Sequence, residues 1–276
     1  MIASRSKVIL FLIFLSLFFL IAGQQIWGRP GLLIGLLLAV LLNSTLFFLG
    51  ENQMLRKMKA RPLKGNDPWG LNERVQDMAR RLKTPPPQIY LMESQSPTAF
   101  SFGLDQSKPC LCVSSDLLQR LNSKEVDVVL AHQLCQLSRH DSFAFAVFSI
   151  LAHSLVSLTE LMDSFLPTQL FTKKPHRFFQ YLASPLAWLL LKFAVQRRMF
   201  YETDARAGAF LKDRNLLGDV LWQLDTLSRT RPLLIPAFSS HMFIVNPAGE
   251  QKRRFRGIFH PSVKRRLTAL IGRPIA

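Results

Sequence analysis

The sequence predicts a mainly helical α+β protein, with an N-terminal transmembrane helical hairpin ahead of a body built around one small sheet. Three observations carry that prediction. Two charge-free apolar stretches open the chain, residues 8–28 (21 residues) and 31–50, apart from the turn at Arg29 (20 residues). About 20 apolar residues suffice for a helix to cross the hydrocarbon core. Beyond residue 70, most apolar positions recur at helical spacing, and only three short runs read as strands.

Composition bounds the possibilities. The 276 residues are 49% hydrophobic, with 35 Lys+Arg against 18 Asp+Glu, a net charge of +17. Residues 1–50 hold no acid and only Arg5, Lys7 and Arg29, so residues 51–276 carry 32 basic and 18 acidic side chains, a net +14. A disordered basic tail is excluded by the apolar content. Three cysteines exclude a disulfide-rich secreted scaffold.

The organisation follows in order. Residues 1–50 are the hairpin, 51–69 a basic linker, and 70–276 the body. A signal peptide does not account for the first span: its apolar stretch is too long, and a second span follows at once. Gly28-Arg29-Pro30 is the expected turn, with Trp27 at the interface. Arg5 and Lys7 precede the first span, and Arg56, Lys57, Lys59, Arg61 and Lys64 follow the second. The positive-inside rule then places both ends, and the body, in the cytoplasm at an inner or plasma membrane. In that reducing compartment the cysteines are expected as free thiols. Two further apolar, membrane-associated segments lie near 142–166 and 178–196. Crossing would put Lys173, Lys174 and Arg177 outside, against the charge rule; crossing and packing on the body both stay open.

Leu71, Val75, Met78, Ala79 and Leu82 mark a helix that Thr84-Pro85-Pro86-Pro87 stops. Residues 88–92, 98–103 and 111–113 read as strands. Ser114, Ser115 and Asp116 offer caps for a short helix through Arg120. Ser123 opens a longer one with Val126, Val129, Leu130, Leu134 and Leu137 on one face. Helices are also expected at 197–211, 216–228 and 263–271.

The helix after Ser123 contains Leu130-Ala131-His132-Gln133-Leu134-Cys135-Gln136, then His140 and Asp141. It resembles the zinc helix of the HtpX-like membrane-bound metallopeptidases, relatives of the CAAX prenyl protease, whose pattern is His-Glu-x-x-His. Two histidines four apart on a helix differ by about 40° and reach one zinc ion; the glutamate takes the proton of the zinc-bound water. Order and spacing of other segments agree with the resemblance. These are Pro97-Thr98-Ala99-Phe100-Ser101-Phe102-Gly103, the run from Lys124 to Ala131, Arg197 to Ala205, Phe243 to Pro247, and Phe259-His260-Pro261 followed by Arg266-Leu267.

The resemblance implies a zincin-like peptidase domain, and the departures fall on its chemistry. His132 occupies the first ligand position, Gln133 that of the general base, Gln136 that of the second ligand and Phe200 that of the third. Glu202 is about 200° out of phase with Phe200. An amide takes up no proton near neutral pH and is a poor zinc ligand. His260, Arg266 and Asp204 remain, read here as scaffold residues. The expectation is a pseudopeptidase without cofactor, linked by its family to proteolysis and protein quality control. It would bind membrane-protein clients or a protease partner through Thr98, Ala99, Phe100, Ser101 and Phe102, an edge strand suited to backbone pairing. Two alternatives stand beside it: an active zinc metalloendopeptidase with a rearranged site, and a non-catalytic membrane scaffold. A soft metal set of His132, Cys135 and His140 is the other metal reading. The basic tail (Lys252, Arg253, Arg254, Arg256, Lys264, Arg265, Arg266, Arg273) faces the bilayer's anionic headgroups; no nucleic-acid module accompanies it.

Overall fold

A computed structural model describes residues 4–65, 67–103, 108–139, 143, 145–152, 195–233, 235, 239–248 and 260–272, with isolated positions between 159 and 192. His140, Asp141, the loop cations Lys173, Lys174 and Arg177, the tail cations at 252–256, Arg273 and most of the two later apolar segments lie outside the described residues.

Helix α1 (Ser4–Lys57) is two arms, because Trp27 (φ −132°, ψ 15°) and Gly28 (φ 62°, ψ −137°) leave helical geometry. The Gly28 conformation is open essentially to glycine alone. Pro30 then sits in the first turn of the second arm, where its missing N–H costs nothing. The arms fold back with backbones almost touching: a Cβ on Gly31 would lie 1.9 Å from Gly23 O, and one on Gly35 2.3 Å from Phe19 O. Asn43 Nδ2 donates across to Ser16 Oγ at 3.1 Å. Small residues and an interhelical polar pair are how helices associate where hydrophobicity cannot discriminate between neighbours. The region Ile9–Leu41 is long and apolar enough to cross a membrane. Leu10 and Phe14 are 68% and 69% exposed, so its outer surface is apolar where a soluble helix would be charged.

The basic linker is partly ordered. The second arm runs on to Lys57, and β1 (Ala60–Pro62) pairs antiparallel with β2 (Gln88–Met92). Three residues are too few to show period 2, and Pro62 is tolerated because β1 is an edge strand. Helix α2 (Leu71–Leu82) intervenes, ended by Lys83 in the left-handed region. Strand β3 (Ala99–Phe102) pairs antiparallel with β4 (Cys110–Ser114), and β4 pairs parallel with β2, giving the order β1-β2-β4-β3. Strand alternation splits the core between the two faces. Leu111 and Val113 join Ala99, α2 and the helices beyond; Cys110 and Cys112 join Phe100, Phe102 and the aromatic side.

Ser114 Oγ accepts from Leu117 N to cap α3 (Ser115–Arg120). Asn122 and Glu125 form a reciprocal capping box at the start of α4 (Ser123–Ser138). Residues 128–136 of α4 are all buried, so this is a central helix covered on every side rather than a surface helix with one apolar stripe. It lies against β3, α2, α5 (Arg197–Leu211) and α6 (Arg214–Thr230). Helix α7 (Val263–Ile271), capped by Ser262, closes the body against α5 and α6. Residues 145–152, the described part of the first later apolar segment, are helical and largely buried against this body. Phe148 meets Phe11 of the hairpin at 5.2 Å between ring centroids.

Candidate functional site

The centre of the site is an interior charge network joining three helices. From α4, His132 Nε2 lies 2.9 Å from Asp204 Oδ1 on α5. From α7, Arg266 clasps the same carboxylate, Nε to Oδ2 at 2.7 Å and Nη2 to Oδ1 at 2.5 Å. Its Nη1 donates to Ile244 O at 2.5 Å. All three side chains are buried. Burial opposes ionisation of Asp204, but the Arg266 guanidinium outweighs it and holds the carboxyl well below the usual carboxylate range. Burial also dominates at His132 and lowers its pKa despite its hydrogen bond to Asp204. The ring is therefore neutral near pH 7, and its Nε2–H donates to Asp204. The 3.2 Å separation of Arg266 Nη2 from His132 Nε2 is then an approach of two donors to one oxygen, not a bond between them.

Around the network sit the positions that departed from the metallopeptidase pattern. Phe200 is buried, its ring 4.4 Å from that of His260, 6.0 Å from that of Phe145 and 5.9 Å from the Arg266 guanidinium carbon. An aromatic cluster thus fills the place aligned with a ligand. Gln133 and Gln136 are buried; both amide atoms of Gln133, Nε2 of Gln136 and Nδ1 of His132 have no hydrogen-bond partner among the described residues. Glu202 turns away, as its helical phase requires, and pairs with Arg139 and with Arg198 (2.5 Å). Cys135 is buried and its thiol is pushed up to about 11 by desolvation, so it is protonated at neutral pH.

A zinc ion does not fit this donor set. The imidazole Nε2 is committed to Asp204, the two amides are weak ligands, and Phe200 has no donor atom. Among the described residues, no three His, Cys, Asp or Glu side chains converge on one point. Of the soft set, His132 and Cys135 share α4, with Cys135 a protonated thiol, and His140 lies outside the described residues.

The strand expected to receive peptide is at the sheet edge, but it is not bare. Thr98, Ala99, Phe100, Ser101 and Phe102 are all buried. Ser101 Oγ donates to Gln133 O at 3.4 Å, tying the strand to α4. On the outer side, Ile244 N donates to Ala99 O at 3.2 Å, and Phe243 lies opposite Phe100 in antiparallel pairing with rings 4.8 Å apart. His260 Nε2 reaches Phe243 O at 3.2 Å. The network and the strand are therefore neighbours through residues 243–244.

Sequence reasoning missed His241. Its Nε2 lies 3.1 Å from Ser149 Oγ and 3.3 Å from Phe145 O, and its ring meets Phe145 edge-on at 5.0 Å. The one signal was its position two residues before Phe243-Ile244-Val245-Asn246-Pro247; its partners lie more than 90 positions away in the chain.

Several known proteins resemble this chain. A profile of the family described as Peptidase family M48 matches residues 67–273. A protease HtpX homolog of Campylobacter concisus is 27% identical over 273 residues, covering 96% of this chain and 95% of that one. Protease HtpX of Legionella pneumophila is 25% identical over 281 residues, covering 96% and 97%. Among solved structures, Ste24p of S. mikatae matches with a TM-score of 0.46 and 17% identity, over 92% of this chain and 62% of that one.

Proposed function

Because this chain belongs to peptidase family M48, we propose that it is an integral membrane pseudopeptidase, its body facing the cytoplasm, that binds polypeptide without cutting it. The observation that carries the reading is the interior of the site. The one surviving ligand-type residue, His132, spends its Nε2 on the Asp204–Arg266 pair, and an aromatic ring stands at the third ligand position. Hydrolysis by this family's chemistry needs a polarised water and a base to deprotonate it; Gln133 supplies neither charge nor proton affinity.

Binding needs less. The β3 edge offers main-chain donors and acceptors for an added strand. The hairpin holds this surface at the bilayer, where membrane-protein segments or a protease partner are the available clients. The basic body favours apposition to anionic headgroups.

The test is metal analysis of the full chain in detergent, together with digestion of casein. Substoichiometric zinc and intact casein are expected. Cleavage that is blocked by chelator and lost in His132→Ala would overturn the reading in favour of a rearranged metallopeptidase.

A further inference from the structure

We propose that Ser240–Val245 is a built-in occupant of the β3 groove and that Arg266 latches it there, so that the protein is self-capped until a client strand displaces the segment. The inference rests on the peptide-binding reading of β3 and adds its regulation.

The register of the sheet decides which backbone groups face the groove. Ser114 N donates to Thr98 O at 3.0 Å, and Phe100 and Phe102 stand opposite Cys112 and Cys110. In an antiparallel pair, backbone groups alternate between the partner strand and the open side. Thr98, Phe100 and Phe102 therefore turn toward β4, and Ala99 and Ser101 turn outward. It is an outward group, Ala99 O, that accepts from Ile244 N. Phe243, antiparallel to Phe100, extends the same line. The segment lies where the first residues of an added strand would lie.

Its grip comes mainly from outside the sheet. Residues 240–242 are a single short turn of 3-10 helix, so the pairing is a bridge at Phe100–Phe243 and does not run on as a strand. Ile244 O is held by Arg266, Phe243 O is reached by His260, and His241 is seated against Phe145 and Ser149. Arg266 is fixed in turn by Asp204 and packed near His132. The charge network at the position of the family's catalytic centre thus fastens the groove's occupant instead of a metal. A longer extended client pairs with Ala99, Ser101 and Gly103 together and competes with the short native segment. Its apparent affinity is lowered by the fraction of time the groove stays closed.

Two variants of the full chain in detergent test this. Ile244→Pro removes the N–H that bonds Ala99 O; Phe243→Leu weakens the ring contact while keeping the core filled and guards against simple unfolding. Hydrogen exchange is followed for residues 98–103 and 239–246, and binding is measured with reduced, carboxymethylated α-lactalbumin as a permanently unfolded chain. Exchange at 98–103 should rise in the order wild type, Phe243→Leu, Ile244→Pro, and binding should tighten by about tenfold if the closed state predominates tenfold. Unchanged exchange at 98–103 in variants that still melt cooperatively overturns the latch. Faster exchange without any gain in α-lactalbumin binding supports the latch and overturns the peptide-binding reading.

Discussion

His241 and His260 are buried rings whose pKa values fall from 6.5 to about 4, mainly through desolvation. His132 is lowered for the same leading reason. A histidine depressed in the folded chain is protonated first in the unfolded chain. Its contribution to stability is whole above about pH 6.5 and shrinks as pH falls toward the folded value. Between pH 6.5 and 4, His241 and His260 should each remove about 1.4 kcal/mol per pH unit. Asp204 shifts the same way for a different reason: its ionised form is stabilised by Arg266, so its contribution persists to lower pH and is lost only below the ordinary carboxylate range. Denaturant unfolding in detergent should therefore be nearly flat from pH 8 to 7 and fall steeply below 6. His241→Gln, which cannot titrate, should lower that slope by about 1.4 kcal/mol per pH unit; an unchanged slope would show that His241 takes up its proton while folded. At this scale the sequence showed which residue types stand at positions 133, 136 and 200, since Gln133, Gln136 and Phe200 are identities. It did not tell that Nε2 of His132 is occupied or that Ile244 O is grasped by Arg266, because those contacts join α4, α5, α7 and the 243–244 segment across the fold.

Helices were legible where they were local. The expected spans at 197–211 and 263–271 coincide with α5 and α7, and α4 begins at Ser123 as expected, with the Asn122–Glu125 box capping it from just outside. Such elements carry their own apolar spacing and caps, which short-range physics reads directly. β1 and the 240–245 segment were hidden because neither has enough residues to show a period; each is defined by its partner, β2 and β3 respectively. The hairpin joins both kinds of information. Its apolar runs and Gly28 announced two arms, whereas the backbone contact of Gly23 with Gly31 appeared only when the arms were laid together. Gly31→Ala would drive a Cβ to 1.9 Å of Gly23 O, and both sides of that contact are backbone. Separating the arms should cost about 1–3 kcal/mol, the range of overpacked cores. Thermal unfolding in detergent should show a lower midpoint for Gly31→Ala; equal midpoints would mean that the arms are not packed this closely.

For the molecule as a whole, the question is whether the metallopeptidase frame survives beneath its altered centre. Helix α4, which carries positions 132, 133 and 136, and α5, which carries position 200, are tied together by the His132–Asp204–Arg266 network. Gln133→Glu, Gln136→His and Phe200→Glu together should therefore restore stoichiometric zinc binding, read by metal analysis after dialysis. His132 would have to give one nitrogen to the metal and keep the other on Asp204; its Nδ1, which has no partner among the described residues, can take either role. A cooperatively folded triple variant that retains no zinc would show that the ligand positions no longer converge.

By itself the sequence determined the family frame, the apolar hairpin and the identities of His132, Gln133, Gln136 and Phe200, because residue type, hydrophobic run length and motif spacing are properties of the chain. Tertiary structure alone decided which partners the buried polar groups around His132 found. A buried carboxylate must find a cation and a buried backbone carbonyl must find a donor; Arg266, distant from both in the chain, serves Asp204 and Ile244 at once. Those demands exist only after burial, and no spacing in the sequence encodes which partner meets them.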